Sequence, residues 1–289
     1  VTPPWPALLA LVSAFGFALA SVLMRRALEH TAPLTATVVS VTCTAAMLWA
    51  LAGLTVPLGR ALVPEIVPFA VAGLVAPGLG RLCLFSGVAR LGVARSAALV
   101  STTPLVAVLL AVAVLGERPS HLLLAGAAAI VVGGVLLSTR SGGDRAWRRR
   151  DLVFPLLAAL AFAARDVVSR WGLRLYGEPL LAAAVAAATS VAVVALVGAA
   201  RRVELRVPRA ALGLVAASGL SEGIAYLTMW WALAQAHVSL VSPLVNTHPI
   251  FALALATALL RDLERVTWRV AVGAVLIVGG VFVVVRVGG

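Results

Sequence analysis

The residues of this chain best suited to chemistry are charged and polar groups set inside long apolar runs. Glu222, Tyr226 and Trp230 recur at i, i+4 and i+8, which puts a carboxylate, a phenol and an indole on one helical face. Arg81 lies in a second apolar run, Arg165 and Asp166 are adjacent in a third, and Asn246 and His248 flank Thr247 in a fourth. Charge in hydrocarbon is costly and persists where it faces a bundle interior, a wet cavity or an opposite charge. At about 1.5 Å of rise per residue, Glu222 and His248 fall near the middle of their runs, with Arg81 roughly 6 Å to one side and Arg165–Asp166 about as far to the other.

Such a set suits recognition rather than bond-making. Glu222 is expected to bind a cationic group or a proton, because a carboxylate in low dielectric must be neutralised. Arg81 is expected to neutralise a carboxylate, and His248 to supply a polar contact. Tyr226, Trp230, Asp166 and Asn246 complete the candidate substrate-binding set. Each has a purely structural alternative. Arg81 and Glu222 have as their alternative a buried ion pair that holds the halves together. Arg165 and Asp166 point about 100° apart on a helix, so one of them faces a cavity while the other pairs elsewhere. His248, directly before Pro249, reads also as a donor to a carbonyl that the proline frees.

No catalytic pattern accompanies these groups. The chain lacks H-E-x-x-H, G-x-x-x-x-G-K-[ST], G-x-S-x-G and a dinucleotide fingerprint. Its four histidines, His30, His121, His237 and His248, lie in different segments without ligand spacing. Cys43 and Cys83 read as small buried hydrophobes. The expectation is therefore no enzyme, no metal and no cofactor.

The elements that must position these residues are long and apolar. The 289 residues are 62% hydrophobic and 12% charged, with mean hydropathy +1.07. A soluble domain averages about 45–50% apolar and about 25% charged, so the bilayer must be the solvent for most of this surface. Ten runs are long enough to span, near 6–24, 34–56, 66–88, 96–115, 121–138, 152–173, 180–200, 210–232, 238–260 and 266–285. Helices are the expected spanning element, because the runs are too long for barrel strands and do not alternate. The first run is followed, not preceded, by Arg25 and Arg26, so it reads as a span rather than a cleavable signal.

The two halves repeat each other. Leu99 to Ala107 carries Thr103-Pro104 and is followed by Glu117-Arg118, Gly126 and Gly133-Gly134. Leu244 to Ala252 carries His248-Pro249 and is followed by Glu264-Arg265, Gly273 and Gly279-Gly280. The prolines are 145 positions apart (249 − 104). The same offset lays Glu222, Tyr226 and Trp230 onto Pro77, Arg81 and Phe85, and His248 onto Thr103. Pro77-Gly78 and Ser218-Gly219 mark expected kinks, and the glycines of runs five and ten suit close helix packing. Five spans per half is odd, so the halves insert with opposite sense. The fold class is therefore all-α integral membrane, with two inverted five-helix repeats (1–138 and 152–289) around a central cavity, joined by a linker at 139–151. Runs 1, 3, 4, 6, 8 and 9 are expected to line the cavity, with 5 and 10 outside it.

The net charge of +12 comes entirely from arginine, which clusters at run ends rather than along a nucleic-acid-binding stripe. Sixteen arginines lie on the side of the linker and five on the other. The positive-inside rule then puts the linker in the cytoplasm and both termini outside.

Ala89-Arg90-Leu91-Gly92-Val93-Ala94-Arg95-Ser96-Ala97-Ala98-Leu99, then Pro104 and Leu115-Gly116-Glu117-Arg118, resembles a run of the drug/metabolite transporter superfamily, in particular its EamA-type ten-helix permeases. Ala234 to Leu240, Pro249 and Leu263-Glu264-Arg265 resemble it more loosely. Phe15-Gly16-Phe17 with Arg25, and Phe162 with Arg170, resemble the opening of each half. One departure is the loop after the second run, where relatives carry basic residues and this chain has Arg60 alone. The resemblance implies a ten-helix basket in the bacterial cytoplasmic membrane. It also implies export of amino acids, other small metabolites or drugs. The partners expected are a small-molecule substrate and the lipid bilayer, with no nucleic acid; the fused halves make a monomer plausible, with a dimer as the open alternative. The competing expectation is proton-coupled antiport of hydrophobic cations, with Glu222 alternating between proton and drug.

Overall fold

The computed structural model describes residues 5–138, 148–203, 206–260 and 268–288. Its first half holds α1 (Trp5–Ala27), α2 (Pro33–Thr55), α3 (Val67–Gly73), α4 (Gly80–Leu91), α5 (Val93–Val100), α6 (Thr103–Leu115) and α7 (His121–Ser138). The second holds α8 (Val153–Tyr176), α9 (Pro179–Ala200), α10 (Arg209–Gln235), α11 (Val238–Val245), α12 (His248–Leu260) and α13 (Trp268–Gly288). Among the described residues, nine helical stretches are long and apolar enough to cross a membrane, and Ala271–Val287 is a shorter tenth. Residues 139–147, most of the expected linker, lie outside the described residues, as do Glu264 and Arg265.

Local chemistry sets the ends. Proline opens α2 and α9, where the missing N–H costs no bond. Gly116 and Gly177, in the left-handed region at φ 68° and 72°, close α6 and α8.

Three spans depart from continuous helices. The third is α3 joined to α4 through a wide π-helical turn, Leu74–Leu79, with Ala76 extended at φ −157°, ψ 129°. Pro77 supplies no N–H there, so the ladder must reroute. The expected twin break does not occur: α10 runs unbroken through Ser218-Gly219. The fourth and ninth spans are each two half-helices, α5–α6 and α11–α12, interrupted at Ser101-Thr102 and Asn246-Thr247.

The halves are related as a pair of opposite sense. A Cβ on Gly133 would meet the Gly273 carbonyl oxygen at 2.6 Å, and one on Gly126 would meet that of Gly280 at 3.1 Å. Rising numbers in α7 thus meet falling numbers in α13, so these equivalent helices pack antiparallel. The same duplication holds in the interior. Ser190 of α9 donates to the Gly73 carbonyl at 2.9 Å, and Thr44 of α2 donates to the Gly219 carbonyl at 2.7 Å. Both members of that second contact are shifted by 146 positions from the first (219 − 73 and 190 − 44). In lipid, such close approaches replace the hydrophobic drive between helices. Gly279 has nothing within 4 Å of an added Cβ, so it is not part of the seam the sequence suggested.

Candidate functional site

The buried charges form two ion pairs of unequal completeness. Arg165 and Asp166, side by side on α8, bond to each other, against the expectation that they diverge. Arg165 Nε and Nη2 donate to Asp166 Oδ1 at 3.1 and 2.7 Å. Its Nη1 reaches the Tyr226 hydroxyl at 3.3 Å and its Nη2 the Met229 sulfur at 3.7 Å. Ser242 Oγ of α11 donates to Asp166 Oδ2 at 2.9 Å. Every nitrogen of this guanidinium and both carboxylate oxygens are thus engaged, and the group lies over the rings of Phe162 and Tyr226 at 5.6 and 5.7 Å.

The second pair joins the halves: Arg81 of α4 is hydrogen-bonded through Nη2 to Glu222 Oε1 of α10. Arg81 has no other bonded acceptor among the described residues, and its side chain stays 21% exposed. The second oxygen of Glu222 likewise has no partner. Glu222 borders a void of about 10 Å³ lined also by Thr44, Pro77, Tyr226 and Trp230, too small to hold a solute. Trp230 is fully buried, and its Nε1 has no hydrogen-bond acceptor. Phe17 stands edge-on to Tyr226 at 5.2 Å.

Asn246 and His248 are not part of this cluster. They line a separate cavity of about 440 Å³ with Ser21, Arg25, Ser101 and Ser138, a size that suits small molecules. Both half-helix breaks contribute to it, at Ser101 and at Asn246–His248. Arg25 in the last turn of α1 and Ser138 at the end of α7 carry its lining to the linker end of the first half. Leu84 lines it one turn from Arg81, and Ser21 lines it one turn from Phe17, so a single turn of helix separates its floor from the ion pairs. Leu137 and Ser138 of α7 reach this wall, while Thr44 of α2 and Ala183 of α9 reach the void. The expectation of six lining spans, with the fifth outside, is corrected accordingly.

The opposite face is sealed. Phe69 packs at 5.5 Å from Trp230 and 5.7 Å from Tyr176. Arg170 Nη1 donates to the carbonyls of Leu233 and Ala234 at 2.7 and 2.8 Å, taking up orphan acceptors at the end of α10. Arg60 pairs with Glu178, and the Tyr176 hydroxyl donates to the Arg60 carbonyl at 2.6 Å. Glu117, buried after α6, accepts from the backbone N–H of Val238 and Ser239 at 2.8 and 3.0 Å, capping α11 of the other half. Sequence reasoning missed Glu117 and Ser242 as site-forming residues. The duplicated Glu-Arg was a signal for the first. Ser242 carries none, because its role depends on how α11 meets α8. Among the described residues no three His, Cys, Asp or Glu side chains gather as a metal site.

Comparison with known proteins places this geometry in context. No curated protein matches the sequence. A solved crystal structure of a protein superposes with a TM-score of 0.83 at 21% identity. The match covers 98% of this chain and 97% of that one, so it bears on the fold alone. The profile of the EamA-like transporter family matches twice, over residues 4–139 and 151–286. This multi-pass, two-repeat chain belongs to the EamA-like transporter family.

Proposed function

We propose that this protein exports small polar metabolites, amino acids foremost, from a bacterial cytoplasm across the inner membrane by alternating access. The observation that carries this reading is one-sidedness. The lining of the cavity of about 440 Å³ reaches Arg25 and Ser138 toward one face, while aromatic packing and helix-end hydrogen bonds close the other. The face that this lining approaches carries sixteen arginines against five, and positive-inside sorting assigns it to the cytoplasm, with both termini outside. Solute then enters from the cytoplasm, descends to the floor beside Arg81 and Glu222, and leaves when one half rocks against the other. Two linked halves supply both walls, so one chain suffices as the unit.

Arg81, Glu222, Tyr226 and Trp230 are the solute-contacting set at the floor in this reading. Asn246 and His248 act earlier, on the entry wall. Asp166 holds Arg165 and serves the site from behind. The test is counterflow in proteoliposomes against a panel of amino acids, nucleosides and cationic dyes. Accelerated exchange of amino acids, lost in both Glu222→Gln and Arg81→Ala, is the expected result. Normal transport by both variants overturns the site, and exchange of dyes alone overturns the solute class.

A further inference from the structure

Three groups around the bridging ion pair have bonding capacity left over. Arg81 holds Glu222 through one nitrogen, which leaves its remaining N–H groups without acceptors among the described residues. Glu222 has one free oxygen beside the void. Trp230, on the same void, has a buried indole N–H with no partner. Thr44 faces the void with its hydroxyl committed to Gly219. In the neighbouring Arg165–Asp166 pair every guanidinium nitrogen and both carboxylate oxygens already have a partner. Of the two ion pairs, the one that bridges the halves has the larger unused bonding capacity among the described residues.

The charges balance. Glu222 faces Arg81 from α4 and Tyr226 one turn along α10, with Arg165 and Asp166 of α8 behind Tyr226. Two guanidinium groups and two carboxylates sum to zero. A proton on Glu222 would leave Arg81 uncompensated at membrane depth, which is the costly arrangement for a broken buried pair. A lone cation or anion as solute would likewise leave one charge over. A zwitterion leaves none.

Resting on the transport reading above, we propose that the Arg81–Glu222 bond is the empty carrier's internal substitute for a zwitterionic solute. The solute's carboxylate replaces Glu222 on Arg81, with the Trp230 N–H as a further donor. Its ammonium replaces Arg81 on Glu222. The site is neutral both empty and loaded, so both forms reorient, and transport moves neither a proton nor net charge. This is opposite in kind to the proton–cation exchange that a lone membrane glutamate would perform.

The experiment uses the full chain in proteoliposomes loaded with unlabelled amino acids and entrapped pyranine. A ¹⁴C-labelled amino-acid mixture is supplied outside, with and without a potassium diffusion potential. The expected result is counterflow at the same rate under both conditions, with no pyranine response. In the wild type, unlabelled alanine, valine, leucine and phenylalanine together compete. The four amines left by decarboxylation, and the four carboxylates left by deamination, compete about tenfold less well or worse. Glu222→Gln loses amino-acid uptake and takes up the ¹⁴C-labelled carboxylates instead, and Arg81→Gln takes up the ¹⁴C-labelled amines. A purely structural pair would produce neither switch. Absence of uptake by the wild type overturns the transport reading itself. Uptake that carries protons, follows the potential, or is blocked equally by the half-molecules leaves transport standing and overturns the zwitterion mechanism. The wild-type measurements decide this even if a variant does not fold.

Discussion

At the scale of single residues, the contrast between the two ion pairs separates function from support. Arg165 and Asp166 are buried, adjacent and fully bonded. Removing one charge strands the other in low dielectric. Asp166→Asn is therefore expected to destabilise the protein by about 3–5 kcal/mol, read as a lowered unfolding temperature in detergent. Replacing both by apolar residues of similar size costs less than either single change, which a double-mutant cycle measures. Ser242→Ala removes one hydrogen bond to a charged acceptor and costs about 1.5–3 kcal/mol. An additive cycle at 165 and 166 would contradict the bonded pair. The sequence exposed Glu222, Tyr226 and Trp230 as one face because 3.6-residue periodicity is local. It could not separate Asn246 and His248 from them. That separation arises where the ninth span breaks at Asn246-Thr247 and turns its polar side to a different cavity.

At the scale of elements, the outlines of the spans were legible and their interruptions were not. Apolar length marks a span whether or not its helix is continuous. Pro77 signalled one break through its missing N–H. Ser218-Gly219 gave the same appearance, yet α10 continues, because Gly219 serves close contact: an added Cβ would lie 2.4 Å from the Ser40 carbonyl oxygen. The paired glycines of α13 make the distinction testable. A Cβ at Gly280 would lie 2.7 Å from the Gly126 carbonyl oxygen, on backbone that cannot swing aside, whereas Gly279 has open space. Gly280→Ala is expected to cost about 1–3 kcal/mol through overpacking. Gly279→Ala is expected to be neutral, or to gain about 0.5–1 kcal/mol from helix propensity. Thermal unfolding of the two variants, identical in composition, reads the difference directly. Equal effects would mean that the α7–α13 seam does not hold the halves together.

At the scale of the whole molecule, the duplication carried the architecture: an odd number of spans per half reverses the second half, and the antiparallel α7–α13 crossing is the outcome. Which face is closed could not be read from sequence, because both halves carry the same parts and a seal depends on which copy is engaged. Glu117 is engaged here, and its counterpart Glu264 lies outside the described residues. A carboxylate from the first half caps α11 of the second, within 3.5 Å of His237 Nδ1, and so ties the two halves at the closed face. Glu117→Ala removes the cap and strands two N–H groups, at a cost of about 0.5–2 kcal/mol to that helix end. The cost falls only on the sealed form, so the balance shifts toward opening on this side by up to about tenfold or somewhat more. The check is a single cysteine at Leu233, a fully buried position beneath the Arg170 contact, in a background with Cys43 and Cys83 replaced. A membrane-impermeant maleimide applied to the arginine-poor face should label it slowly in the parent and several-fold faster with Glu117→Ala. Labelling at the same rate in both would show that the face is closed by the Phe69–Trp230–Tyr176 packing alone, and that the cap contributes to folding but not to the conformational balance.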